Sequence, residues 1–154
     1  MATITSVAFR KILNSHVGFT NEFVIELADG AIGVGGSPQG ETISIYEDKR
    51  ISISPETIIK RLTDGGYIGR EIDQAAFDDG LQKEISLIGR NNAFSLSLAY
   101  FDATKENRPL HELFGKPKRK LTPPRLCLNI LNGGWHAYTN PVLSDFHEYI
   151  LVSR

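Results

Sequence analysis

Apolar and strand-favouring residues crowd the first third of the chain in short runs. Ile4 to Leu13 is broadly apolar, and Phe23-Val24-Ile25-Glu26-Leu27 is rich in residues that suit a pleated, half-buried surface. Asp29-Gly30 supplies a hairpin turn, and a third run follows at Ala31 to Gly35. The segment from Gly36 to Thr42 contains Ser37, Pro38 and Gly40, a turn chemistry that keeps it out of any strand or helix interior.

Helical signals then take over. Ser54 followed by Pro55 reads as an N-cap with proline at the first helical position, and Glu56 sits at the positive end of that helix. Ile58, Ile59 and Leu62 give it an apolar face, and Gly65-Gly66 ends it. The spacing predicts a second helix over Ile72 to Ile85, with Ile72, Ala75, Ala76, Leu81 and Ile85 inward; Gly80 weakens the pattern. A third helix, capped by Asn91 or Asn92, runs to about Glu106. Its Phe94, Leu98 and Phe101 share one stripe, and Ser95, Ser97, Ala99 and Ala103 keep the rest slim enough for close packing on a sheet. Pro109 opens one more short turn, Leu110 to Phe114.

Lys116 to Lys120 with Pro123-Pro124 has the composition of a linker. Beyond it, Leu126 to Leu131 reads as a buried-type strand and Tyr149 to Val152 as another, around a polar, glycine-rich loop from Asn132 to Ser144. The expected fold class is therefore α+β: a three-stranded antiparallel sheet packed with three to four helices over residues 1–120, then two strands of something incomplete over 121–154. Two apolar strands with no helices after them cannot close a core, and an exposed apolar edge is normally avoided.

Composition narrows the functional classes. With 154 residues, 41% hydrophobic and 23% charged, the chain is long enough for one ordinary domain with a real core. Its 17 basic and 18 acidic residues leave a net charge of −1, which exerts no long-range pull on nucleic acid or an anionic membrane. The Lys116–Lys120 cluster reads as a solvated linker, and no apolar stretch is long enough to span a bilayer. A single cysteine, Cys127, allows no internal disulfide and is expected to be a buried, inert thiol. With no apolar leader in MATITSVAFRKI, the expected compartment is the cytoplasm.

Three familiar motifs fail. A dinucleotide fingerprint beginning at Gly33 would need a third glycine where Pro38 stands. A phosphate loop spanning Gly35 and Gly40 would need lysine where Glu41 stands, and a carboxylate repels phosphate. His147-Glu148 begins a zinc-protease pattern, but Leu151 occupies the second histidine position.

Three stretches, in order along essentially the whole chain, resemble enolase. Arg10-Lys11-Ile12-Leu13-Asn14-Ser15-His16, continuing to Thr20 and Glu22, is similar to that family's opening "REILDSRGNPTVE". Gly89 to Ala99, ending in Pro109-Leu110, is similar to "GANAILGVSLA…PLY". Asn129-Ile130-Leu131-Asn132-Gly133-Gly134-Trp135-His136-Ala137 is close to "NVLNGGSHA" at the barrel entrance. His147-Glu148-Tyr149 stands where the family has Gln-Glu-Phe.

The resemblance implies an α+β capping domain over residues 1–120 and the first strands of an α/β barrel over 121–154. It further implies loops that close over a site dehydrating 2-phosphoglycerate to phosphoenolpyruvate with magnesium. In that site His136 would face the substrate's phosphate, with His147 beside it. Glu148 would help the hydroxyl leave as water, and Thr42 would stand for a serine that ligates a second magnesium ion. Imidazole can donate to an anion, and a carboxyl group can deliver a proton to a leaving oxygen. Arg10 and Glu22 match residues that bridge to the barrel of a neighbouring subunit.

Departures are as informative. Pro38 to Ile43 replaces "PSGASTG", and His16 replaces an arginine. The resemblance places the carboxylates for the first magnesium and the lysine base in the rest of a barrel, which runs to about 250 residues. The chain alone is therefore expected to be inactive. Two functions compete: a cap and half-site needing a barrel-bearing partner, or a non-catalytic binding or regulatory module that pairs its strands with a second copy. A natural truncation without a maintained role is a third.

Overall fold

The computed structural model describes residues 1–13, 18–37, 53–106, 108–109, 113, 123–133 and 148–153. Two compact units emerge, Met1–Phe114 and Gly115–Arg154. In the first, β1 (Ala2–Leu13), β2 (Phe19–Leu27) and β3 (Ile32–Gly36) form an antiparallel sheet. A two-residue β4 (Glu71–Ile72) pairs with the start of β1, giving the order β3-β2-β1-β4. The fold is thus α+β as expected, with a fourth strand that sequence reading placed at the head of a helix. Ile72 is buried in that strand, and the helix starts after it.

Strand alternation explains which face is covered. Val7 opposes Ile25 and Phe9 opposes Phe23, so these four share one face; Val7, Ile25 and Phe23 are buried and Phe9 packs against them. Ala8 opposite Val24 and Arg10 opposite Glu22 occupy the other face. The Asp29-Gly30 turn forms as its chemistry predicts. Gly30 takes a φ of +85° and donates to the Leu27 carbonyl at 2.9 Å, and the Asp29 carboxylate accepts from the Ala31 amide at 3.0 Å.

Three helices cover the apolar face. In α1 (Pro55–Asp64) the Ser54 hydroxyl accepts from the Thr57 amide at 3.2 Å, and Ile58 and Leu62 are buried. In α2 (Gln74–Ile88) Asp73 caps through the Ala76 amide at 2.8 Å. Its buried positions are Phe77, Gly80, Leu81 and Ile88, whereas Ala75 and Ala76 are exposed because they fall in the first turn on the solvent side. Gly80 has a packing reason: a Cβ there would land within 3.0 Å of the Tyr67 ring.

A single glycine, Gly89, separates α2 from α3 (Arg90–Thr104) and caps the latter with a φ of +84°. Asn92, expected as a cap, instead lies inside α3 and donates its side-chain amide back to the Ile88 carbonyl at 2.7 Å. Ala93, Leu96, Ala99, Tyr100 and Ala103 face the core with Ser95. Of the Phe94–Leu98–Phe101 stripe, Phe94 is 56% exposed and Leu98 and Phe101 are half-buried. The reason lies in β3. A Cβ on Gly33 or Gly35 would come within 3.0 Å of the α3 backbone at Ala99 or Ser95, so α3 must turn its small residues to that strand. Its large inward side chain, Tyr100, fills the space beside Phe77 with ring centroids 5.1 Å apart and donates to the Ile72 carbonyl at 2.6 Å.

In the second unit, β5 (Cys127–Asn132) and β6 (Glu148–Val152) form an antiparallel pair, with an irregularity between Asn129 and Leu131. Ser153 closes its open end, donating its amide to the Leu126 carbonyl at 2.9 Å and accepting from the Leu126 amide at 3.0 Å. Every residue of both strands is exposed, Cys127 included, so the expectations of a buried strand and a buried thiol are corrected. Among the described residues of this unit, no second layer covers either face of the ribbon.

Candidate functional site

The first two sequence stretches meet at one end of the sheet. Lys11 on β1 donates to the Asn21 side-chain oxygen at 2.6 Å, and Asn21 donates to the Asn92 side-chain oxygen at 3.0 Å. Asn92 in turn holds the Ile88 carbonyl, so β1, β2 and the α2–α3 junction are tied in one polar chain. Beside it, the Thr20 hydroxyl donates to the Ser37 carbonyl at 2.8 Å, and Ser37 is buried.

Ser37 is the last described residue before the segment that carries Thr42. The far root of that segment is fixed too: Ile53 packs against the core and Ser54 caps α1. The described residues on either side of 38–52, Ser37 and Ile53, are thus both held by the fold. Thr42 itself lies outside the described residues, as do His136 and His147.

Arg10 and Glu22, expected at a partner interface, face each other across β1 and β2 and form an ion pair through Nε and Oε2. The glutamate is mostly covered and the arginine is largely exposed, so the pair presents a cationic outer surface over a held carboxylate. Glu148 opens β6, is exposed, and lies opposite Asn132. It thus sits on the strand adjacent to the Asn129–Gly133 stretch, the described part of the third motif. That register joins Glu148 to the motif it follows in sequence by 16 positions from Asn132.

Sequence reading did not single out Lys11, Asn21 or Ser37. Their signal was position alone: each flanks or lies within a family-like stretch, but an amide–amide contact between β2 and α3 has no one-dimensional signature. An open cleft of about 280 Å³ lies between α2 and α3, lined by Asp78, Leu81, Gln82, Ile85, Arg90, Ala93, Phe94 and Ser97. Neither Arg10 nor Glu22 is among the residues that line it.

Titration behaviour is perturbed away from these residues. Burial raises the Tyr100 phenol above its ordinary value. Burial also pushes the Asp102 carboxyl up, but hydrogen bonds from Lys105 and the Val34 amide, with the Lys105 charge, outweigh it and leave the carboxyl below its usual range. Among the described residues no three histidine, cysteine or carboxylate side chains converge to hold a metal ion. No helix among them is long and apolar enough to cross a membrane.

No family model matches the chain. Individual proteins do. The enolase of Natronomonas pharaonis is 29% identical over 156 residues, covering 95% of this chain and 39% of the relative. The enolase of Halorubrum lacusprofundi is 29% identical over 159 residues with the same two coverages. The chain therefore spans about two fifths of the length of the curated relatives it matches, while almost all of its own length takes part in the match. The resemblance carried by three short stretches extends along nearly the whole chain, and the α+β unit agrees with an enolase-like N-terminal domain.

Proposed function

We propose that this chain supplies the cap and part of the site of an enolase-like lyase, and works only with the remainder of a barrel on a partner polypeptide. The observation that carries this reading is the match over 95% of the chain to only 39% of each enolase. The exposed apolar β5–β6 pair supports it, because the remaining layers of a barrel would cover those side chains.

In this reading His136 donates a hydrogen bond to the substrate's phosphate, with His147 alongside, and Glu148 delivers a proton to the departing hydroxyl of a 2-phosphoglycerate-type acid. Thr42 offers a hydroxyl toward magnesium, the cation that the resemblance implies. Among the described residues no group of three or more carboxylate, histidine or cysteine side chains is brought together for this ion. Arg10 and Glu22 face the partner's barrel. Mixing the chain with an enolase barrel that lacks its own cap, and following phosphoenolpyruvate formation, tests the reading. Activity that appears only in the mixture supports it; no complex with any barrel half removes it.

A second reading is a non-catalytic binding or regulatory module. It draws on the altered Pro38–Ile43 segment, on His16, and on the mutual pairing of Arg10 and Glu22. A stable complex with the barrel that binds the substrate but does not turn it over would favour it.

A further inference from the structure

Gln74, at the start of α2, donates its side-chain amide to the Ser97 hydroxyl at 3.2 Å, two turns into α3. Asn92, near the start of α3, reaches back to the Ile88 carbonyl at the end of α2. The two helices therefore lie side by side in opposite directions, and the cleft of about 280 Å³ runs between them. Both of its walls belong to the first unit.

Opposite charges mark the two ends of this cleft. At one end Asp78 and Ser97 line it together, and Gln74 holds the Asp78 carboxylate at 2.9 Å. Acceptors outnumber donors there. The single Gln74 amide nitrogen serves Asp78, the Ser97 hydroxyl and the Ser97 carbonyl, and the Gln74 Oε1 is buried with no partner among the described residues. At the other end stands Arg90, the first residue of α3. Ser97 lies two turns past it, a rise of about 10 Å. Leu81, Ile85, Ala93 and Phe94 make the stretch between the ends apolar.

A cavity of this volume is at the low end of those that hold small ligands, which suits a small molecule better than a folded segment. A bare cation would match Asp78 and meet repulsion at Arg90, and a bare anion the reverse.

We propose that the α2–α3 cleft binds a small dipolar molecule, an ammonium and a carboxylate about 10 Å apart on an apolar body, with the ammonium at Asp78 and the carboxylate at Arg90. The three N–H donors of a primary ammonium suit the acceptor-rich end, and a guanidinium fits a carboxylate. An ω-amino fatty acid and an extended apolar peptide of about three residues with free ends share this chemistry. The lyase reading is not needed for it.

The test titrates the full chain with ω-aminooctanoate and, separately, with trialanine, following the backbone amide shifts of α2 and α3. Octanoate and octylammonium serve as one-ended controls. A dipolar probe should shift amides within 78–85 and 90–97, and each control should bind roughly ten-fold more weakly. The tighter of the two dipolar probes tells the fatty chain from the peptide. In Asp78→Asn, ω-aminooctanoate should bind no better than octanoate; in Arg90→Gln, no better than octylammonium. Absence of shifts with both dipolar probes, or equal binding of ω-aminooctanoate and its controls, overturns the proposal. Should a variant not fold, the comparison of probes on the wild type decides alone.

Discussion

Glycine in this chain does two unrelated jobs, and the residue scale separates them. Gly30 needs its positive φ but has open space around it, so Gly30→Ala meets only the backbone penalty, about 1–2 kcal/mol. Gly33 has ordinary strand geometry, yet a methyl group there collides with helix backbone that cannot swing aside. Gly33→Ala should therefore cost more than Gly30→Ala, upwards of about 3 kcal/mol, because overpacking at a backbone contact leaves no rotamer to relax. Urea midpoints of the two variants check the order, and equal midpoints would refute the contact argument. Asp102 offers a second residue-scale prediction. Its carboxyl lies below the ordinary value in the folded chain, so its stabilisation is complete above the unfolded pKa and is lost as pH falls through the folded one. Asp102→Asn should flatten the acid limb of the stability profile between those two values while leaving neutral pH less stable than wild type. Because the group is about one-third exposed, solvent screening keeps the effect small.

At the level of elements, the caps decide where helices begin, and their removal is measurable. Asp73 accepts from the Ala76 amide at the start of α2, so Asp73→Ala should lower stability by about 1 kcal/mol. The same substitution at Asn92, read from sequence as a cap, should instead loosen the sheet end. It breaks two side-chain bonds, to Asn21 and to the Ile88 carbonyl, and a faster-exchanging Asn21 side-chain amide would report it. Much of the element order was legible: the Asp29-Gly30 turn, the Ser54-Pro55 helix start and the slim face of α3 all follow local chemistry. The glycine run at 33–36, rejected as a phosphate motif from sequence, finds its reason in a helix lying on top of it, a contact 60 residues and more away in sequence. Likewise Phe94 looked inward because its spacing matches Leu98 and Phe101. A helix's face is chosen by what it packs against, and β3 chose the alanines. Of the expected site residues, Arg10 lay inside a strand read from the pattern, Glu22 and Glu148 each stood one position before the runs read as strands, and the mutual pairing of Arg10 with Glu22 depends on the strand register.

For the whole molecule, the distribution of apolar surface is the informative quantity. Every buried apolar side chain of the described core, from Ile4 to Ala103, belongs to the first unit. Leu128, Ile130, Leu131, Tyr149, Ile150, Leu151 and Val152 contribute nothing to it and stand exposed. Selection for the first unit's own stability gives no reason to keep seven large apolar side chains in the second. A requirement that a further layer cover them does, and the proposed function supplies that layer from the rest of a barrel. Placing charges there, as in the pair Leu128→Asp and Leu151→Asp at opposed ladder positions, should therefore leave the first unit's urea midpoint within about 0.5 kcal/mol of wild type. The like charges directly opposite each other should open the ribbon and abolish binding to a barrel half. A variant that still binds and supports turnover would mean that the ribbon is not the docking element, and that the first unit alone carries the partner surface through the face bearing Arg10 and Glu22.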